Sequence, residues 1–307
     1  MMKLIDPILD AGFKLIFGRE KVSEPLLVNL LNSIFSDDPV LGNIVGLHFI
    51  NTEYPHEQIE GRGLRYDIRC VTSTGHHFIV EMQKGEQTHL LERSQYYVAR
   101  ALAAQGYKGK NEDNRNWTFS LTPVVSVFFC NFMVSGLEED PVIYLGLCNL
   151  KSGKLVDESQ RYVFIQLPCF RKPEGECESE LDQWIYNIKN MGARQSVAFK
   201  NDNAVFNYLD SVSSVAALSL DEREKYEAAL MYSRDYNAIL ATAKEKAMVE
   251  GLKEGIAKGR EEGIAKGREE GALDVIRDVV GRLRANGMDN QSIANILGKD
   301  LEQIASI

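Results

Sequence analysis

Residues 65–83 decide the fold. They read Arg65-Tyr66-Asp67-Ile68-Arg69-Cys70-Val71, then Thr72-Ser73-Thr74-Gly75, then His76-His77-Phe78-Ile79-Val80-Glu81-Met82-Gln83. Two short runs rich in β-branched and aromatic residues flank a polar turn, which reads as a β-hairpin. Alternation places Phe78, Val80 and Met82 on one face and His77, Glu81 and Gln83 on the other. On the first strand, Asp67 and Arg69 point away from Tyr66, Ile68 and Cys70. With Ser73-Thr74-Gly75 as a three-residue loop and Gly75 in the left-handed position, Asp67 falls directly opposite Glu81. Cβ atoms so opposed lie about 4.5–5.5 Å apart. Two carboxylates at that distance repel, and strands disfavour Asp, so a positive charge is expected between them. Spacing alone leaves two sources open. One is a hard divalent cation on oxygen ligands, of which Mg²⁺ uses one or two carboxylates. The other is an exposed hairpin face neutralised by Arg65, Arg69 or Lys84.

Working outward, Asp6–Phe35 carries helical apolar spacing at Phe13, Ile16, Phe17, Leu26, Leu27, Leu30, Leu31 and Ile34. Within it, Ser23-Glu24-Pro25 reads as an N-cap with proline in the first turn. Strands are expected at Leu47–Glu53, Leu64–Val71, His77–Gln83 and Pro123–Asn131, with more near Val142–Leu147 and Tyr162–Leu167. A helix is expected over Glu86–Gln105, with Leu90, Leu91, Tyr97, Val98, Ala101 and Leu102 on its apolar face. That order implies an α/β core with helices packed on a mixed sheet. Beyond the polar stretch at 171–180, helical patterns cover Leu181–Asn190, Gln195–Tyr208 and Asp221–Ala247. The chain therefore divides into a core at 1–170, a helical region at 171–247, a glycine-repeat helix or tether at 248–272 and a small helical segment at 273–307, helix-turn-helix-like or a simple cap.

The repeat is literal. Residues 254–261 read EGIAKGRE, and 262–269 repeat them. Glycine recurs every fourth residue from Gly251 to Gly271, while Glu254–Lys258 and Glu262–Lys266 support a helix at i, i+4. Each interior glycine costs about 0.8–1 kcal/mol against alanine, so six cost about 5–6 kcal/mol. Such a segment is either a flexible tether or a helix whose small-residue ridge lets a second copy approach closely. A homo-oligomer through this helix is the expectation.

The 307 residues carry 35 Lys+Arg against 44 Asp+Glu, a formal charge of −9. Lys244–Gly271 holds seven basic and seven acidic residues and Ala272–Ile307 four and five, so −8 of the −9 lies in the first 243 residues. Such a body does not coat nucleic acid or anionic membrane by bulk charge, although a local site can still bind either. The five cysteines form no CxxC pair and read as reduced thiols, against a zinc ribbon or disulfide framework. His76, His77 and His89 lack a zinc-binding spacing. With no leader and no long apolar run, a cytoplasmic protein without membrane association is expected.

Several stretches together resemble one family. They are Asp10-Ala11-Gly12-Phe13-Lys14-Leu15-Ile16-Phe17-Gly18, Tyr66-Asp67-Ile68-Arg69, Glu81-Met82-Gln83, Arg93-Ser94-Gln95-Tyr96-Tyr97, Leu181-Asp182-Gln183-Trp184-Ile185-Tyr186, Lys225-Tyr226-Glu227 with Arg234-Asp235, and the glycine repeat. In this order they resemble the PD-(D/E)XK nuclease superfamily, and within it the Rpn group of recombination-promoting nucleases and transposases. The resemblance implies a restriction-endonuclease-like core followed by a helical C-terminal region. It implies a metal-dependent DNA endonuclease with Asp67 and Glu81 as catalytic acids that, with the Met82 carbonyl, hold Mg²⁺ or Mn²⁺. Gln83 stands where the superfamily has lysine and would orient water or a phosphate oxygen. Arg93, Tyr96 and Arg100, at i, i+3, i+7 on the long helix, and Lys14 on the first would meet the DNA backbone, although a solvated helix face reads equally well. Asp10 and Lys14 lie where some members carry an extra acidic residue. The alternative function is a weak or inactive nuclease-fold module for DNA tethering or self-assembly.

Overall fold

The computed structural model describes residues 3–36, 38–54, 64–106 and 121–307. The chain forms two compact units, Met1–Ser233 and Arg234–Ile307. The first is built on a mixed sheet of six strands in the order β1-β4-β5-β6-β8-β7. Its strands are β1 (Leu47–Phe49), β4 (Ile68–Thr72), β5 (His77–Gln83), β6 (Val124–Cys130), β7 (Val142–Cys148) and β8 (Leu155–Gln166), while β2 (Glu53–Tyr54) and β3 (Leu64–Arg65) pair separately. β5, β6 and β8 run parallel, with antiparallel strands on both sides.

The central strands are buried on both faces, so their side chains alternate between two apolar layers. Phe78, Val80 and Met82 of β5 and Val125, Val127 and Phe129 of β6 enter one core. This core is closed by α1 (Asp10–Phe17), α2 (Glu20–Ile34), α4 (Glu180–Asn190) and α5 (Ala204–Val212). Ile79 of β5 and Val124, Phe128 and Cys130 of β6 enter the other, under α3 (Leu90–Ala103). Trp184 anchors the first core. Its ring lies 5.8 Å from Phe17 and 5.0 Å from Phe206, and its indole N–H donates to Asn29 Oδ1 at 2.7 Å.

The hairpin forms as its sequence implies. Val71 pairs with His77, Gly75 adopts φ +89°, and the loop is Ser73-Thr74-Gly75. Other expectations need correction. Pro25 lies inside α2, which starts at Glu20, because buried Ser23 bonds the preceding turn instead of capping. Its hydroxyl donates to Ile16 O and accepts from Arg19 N–H. The strand expected over Leu64–Val71 is interrupted at Tyr66-Asp67. The break turns Tyr66 into the α3 core while Ile68 and Cys70 enter the other. The helix expected from Gln195 begins at Ala204, because buried Asn187 clamps Ala198, donating to its carbonyl and accepting from its N–H.

The helical residues after 170 also differ in detail. α4 and α5 belong to the first unit, and α6 runs unbroken from Leu220 to Ala285. The glycine repeat is thus helical, every residue from 234 to 275 is exposed, and a Cβ at any of its six glycines would meet nothing within 4 Å. In the second unit, the end of α6, α7 (Asn290–Leu297) and α8 (Leu301–Ala305) share a small core of Val280, Ile293, Ala294 and Ile304. Among the described residues no helix is long and apolar enough to cross a membrane.

Replacing the fully buried indole leaves a large cavity, so Trp184→Ala should lower unfolding stability by about 3–5 kcal/mol in urea titrations. A loss below about 1 kcal/mol would show that Trp184 does not anchor this core.

Candidate active site

The site lies where β5 ends, the chain bends at Asp67, and α1 and α3 approach from opposite layers. Asp67 immediately precedes β4, and the register pairing Ile68 with Val80 carries it to the position opposite Glu81. The main chain then cross-links the two acids. Asp67 N–H donates to Glu81 Oε1 and Met82 N–H donates to Asp67 Oδ2, both at 3.0 Å. Each carboxylate thus has one oxygen held by the other strand's backbone and one left to face side chains.

Those second oxygens meet a cation from each layer. Lys14 Nζ of α1 lies 3.0 Å from Asp67 Oδ1 and 2.7 Å from Asp10 Oδ1. Arg93 Nη2 of α3 lies 3.6 Å from Glu81 Oε2, which also accepts from Gln83 Nε2 at 3.1 Å. Gln87 closes a ring: its Nε2 donates to Gln83 Oε1 and its Oε1 accepts from Arg93 Nη1, both at 2.7 Å. Arg93 Nε donates to the Tyr97 hydroxyl at 2.7 Å, with the guanidinium 5.0 Å from that ring's centroid. Tyr97 packs edge-on against Tyr66 at 4.9 Å. Asp10 and Lys14 meet because they lie at i, i+4 on α1, and Gly12 lets that helix pack against the preceding chain, where a Cβ would lie 1.9 Å from Asp6 O.

Burial governs the electrostatics. Glu81 is 1% exposed, and desolvation followed by the charge of Asp67 pushes its carboxyl up to about 8. Burial and then Asp10 push Asp67 up to about 6, against the pull of Lys14. Burial opposes the charged form of Lys14, but Asp67 and Asp10 outweigh it and raise its pKa. Burial likewise opposes the charged form of Asp10, yet hydrogen bonds from Asp67 and Lys14 hold its pKa low. The site contains acids that resist ionising together without more positive charge.

The structure gathers Asp67, Glu81, Met82, Gln83, Arg93 and Lys14 in one place. Lys14 and Arg93, expected to face DNA, turn toward the acids. Tyr96 is exposed on α3, and Arg100, one turn further, is half-buried. Lys84 points away and donates to Ser233 Oγ. The helix expected from Glu86 begins only at Leu90, so Gln87 lies in the β5–α3 connection, off any helical face on which its approach to Gln83 and Arg93 could have been read. The i, i+4 spacing of Arg93 and Tyr97 was a usable signal, masked by the place of Tyr97 on the apolar face. Among the described residues no three His, Cys, Asp or Glu side chains group to hold a metal.

Residues 7–243 match the family model of the PD-(D/E)XK nuclease family transposases. The chain belongs to that family. No curated protein and no solved structure gives a significant match. The six-stranded mixed sheet with flanking helices agrees with the restriction-endonuclease-like α/β fold of PD-(D/E)XK nucleases. Membership links the chain to nuclease chemistry on DNA and to mobile elements. The matched span includes every residue of the site and ends before the glycine repeat.

Because the native acids hold protons above the ordinary carboxyl range, the folded state binds more protons than the unfolded chain between about pH 4.5 and 8. Stability should therefore fall as pH rises through that window. Melting of chelator-treated protein should show this fall, flattened in Glu81→Gln. An equal slope in both would remove Glu81 as its source.

Proposed function

We propose that the chain is a divalent-metal-dependent DNA endonuclease that hydrolyses phosphodiester bonds in recombination or mobile-element movement. The carrying observation is the pair of carboxyls, Glu81 buried and Asp67 largely so, cross-linked through each other's backbone with their second oxygens facing Lys14 and Arg93. Asp67, Glu81 and the Met82 carbonyl would hold Mg²⁺ or Mn²⁺, an all-oxygen set suited to a hard cation. The donor set also fits electrostatically, since added positive charge favours the ionised form that burial opposes. When bound, such an ion lowers the pKa of a coordinated water and offsets charge on the phosphate.

The chain's own residues do the rest. Gln83, held at both ends of its amide, orients a water or phosphate oxygen without supplying charge. Lys14 keeps Asp10 and Asp67 together, and Tyr96 and Arg100 extend α3 as a surface for backbone phosphates. The acidic first unit keeps DNA binding weak without a divalent cation, and the phosphate contacts of its basic side chains make that binding fall with salt. Purified protein should nick or cleave plasmid DNA in Mg²⁺, and Asp67→Ala and Glu81→Ala should each abolish it. Wild-type-like cutting by the double variant would sink this function.

A second reading, a tethering or assembly module, draws on the glycine ridge of α6. Its helix carries about 5–6 kcal/mol of glycine cost with open space at all six positions, which a second copy packed against it would offset. Deleting residues 251–307 should reduce the molar mass in light scattering from oligomer to monomer. An unchanged mass would place self-association elsewhere.

A further inference from the structure

The ring Glu81–Gln83–Gln87–Arg93 contains an asymmetry that bears on how the nuclease reading, on which this inference rests, works in detail. Gln83 is neutral, so any side-chain charge that acts on the phosphate beside the divalent ion comes from another residue. Lys14 and Arg93 are the cations that contact Asp67 and Glu81. Lys14 is shared between two carboxylates at 2.7 and 3.0 Å, so its charge is already matched. Arg93 faces a single carboxylate at the longer distance of 3.6 Å, and its other partners, Gln87 and Tyr97, are neutral.

Geometry adds to the charge argument. A guanidinium has five N–H donors, and two of those of Arg93 are hydrogen-bonded, Nε–H to Tyr97 and one Nη1–H to Gln87, while Nη2 meets Glu81 only as an ion pair at 3.6 Å. At least one N–H on each terminal nitrogen is left without a hydrogen bond, and guanidinium donors suit phosphate oxygens. The Arg93 side chain is 35% exposed while that of Glu81 is 1% exposed, so the guanidinium is the solvent side of the ring. A phosphate entering toward Glu81 meets Arg93 first. Its orientation is set beforehand by the Tyr97 ring and Gln87, which is how a fixed dipole or charge favours a transition state over a ground state.

We propose that Arg93 is a catalytic residue whose guanidinium contacts the phosphoryl group being cleaved and offsets the charge that builds on it. Gln87 is a positioning residue that holds Gln83 and Arg93 in one arrangement. In the reaction the oxygen of water forms the new P–O bond and one ester P–O bond breaks. One proton of the water ends on the departing sugar oxygen, and the other is released as the new phosphate monoester ionises. Arg93 neither gives nor takes a proton.

The test measures kcat and KM on an oligonucleotide duplex in Mg²⁺, and separately the Kd for Mn²⁺ alone by calorimetry. It compares wild type, Arg93→Ala, Arg93→Lys, Gln87→Ala and the double variant Gln83→Lys/Arg93→Ala. Arg93→Ala should lower kcat by about 10²–10³-fold, with KM and the Mn²⁺ Kd nearly unchanged. Arg93→Lys should retain part of the rate, Gln87→Ala should lose less than Arg93→Ala, and Gln83→Lys should restore activity to Arg93→Ala. An unchanged kcat in Arg93→Ala, or a failure of Gln83→Lys to rescue, overturns the assignment. A parallel loss of Mn²⁺ affinity also overturns it, since Arg93 would then only hold Glu81 in place. Wild type that cuts nothing removes the nuclease reading and this inference together, whereas a wild type that cuts no better than Arg93→Ala removes this inference alone.

Discussion

The site depends on one reciprocal pair of hydrogen bonds. Asp67 N–H reaches the Glu81 carboxylate and Met82 N–H reaches the Asp67 carboxylate, each at 3.0 Å. Two like charges would otherwise push the end of the hairpin open. The backbone donors compensate part of the burial, and Lys14 and Arg93 compensate more. The remainder appears as raised pKa values on both acids. Everything around the pair keeps that arrangement in register: the Gly75 turn sets the pairing, α1 carries Lys14, and α3 carries Arg93.

Much of this was legible in the sequence because it is periodic or local. Phe78, Val80 and Met82 share a core because strand alternation leaves no other choice, and the three-residue loop followed from Gly75. The opposition of Asp67 and Glu81 follows from those two facts alone. The parts that were not legible come from non-local packing. Ser23 resembles a cap by composition, yet its hydroxyl is consumed by Ile16 O and Arg19 N–H. The bend at Tyr66-Asp67 breaks an alternation that the letters suggest, and it gives Asp67 reach toward α1. Gln87 sits in a connection, where only the folded distances to Gln83 and Arg93 reveal it.

The second unit obeys different constraints. Its small core can fold around Val280, Ile293 and Ile304, but in the repeat before it the apolar side chains Leu252, Ile256 and Ile264 are exposed and the glycines set helix propensity against it. Acids and bases at i, i+4 spacing support that helix, and its glycines leave room for close approach. Most of the negative charge of the chain lies ahead of the repeat, in the unit that carries the acids. An acidic composition therefore does not argue against a local nucleic-acid site, whose position the hairpin geometry sets.

The central claim, that Asp67 and Glu81 form a cation-binding pair completed by main-chain oxygen, is tested most directly by crystals grown with Mn²⁺ and an anomalous difference map. The account predicts a peak bounded by the Asp67 and Glu81 carboxylates and the Met82 carbonyl, lost in crystals of Asp67→Ala. A well-ordered wild-type site with no peak there at saturating Mn²⁺ would contradict it.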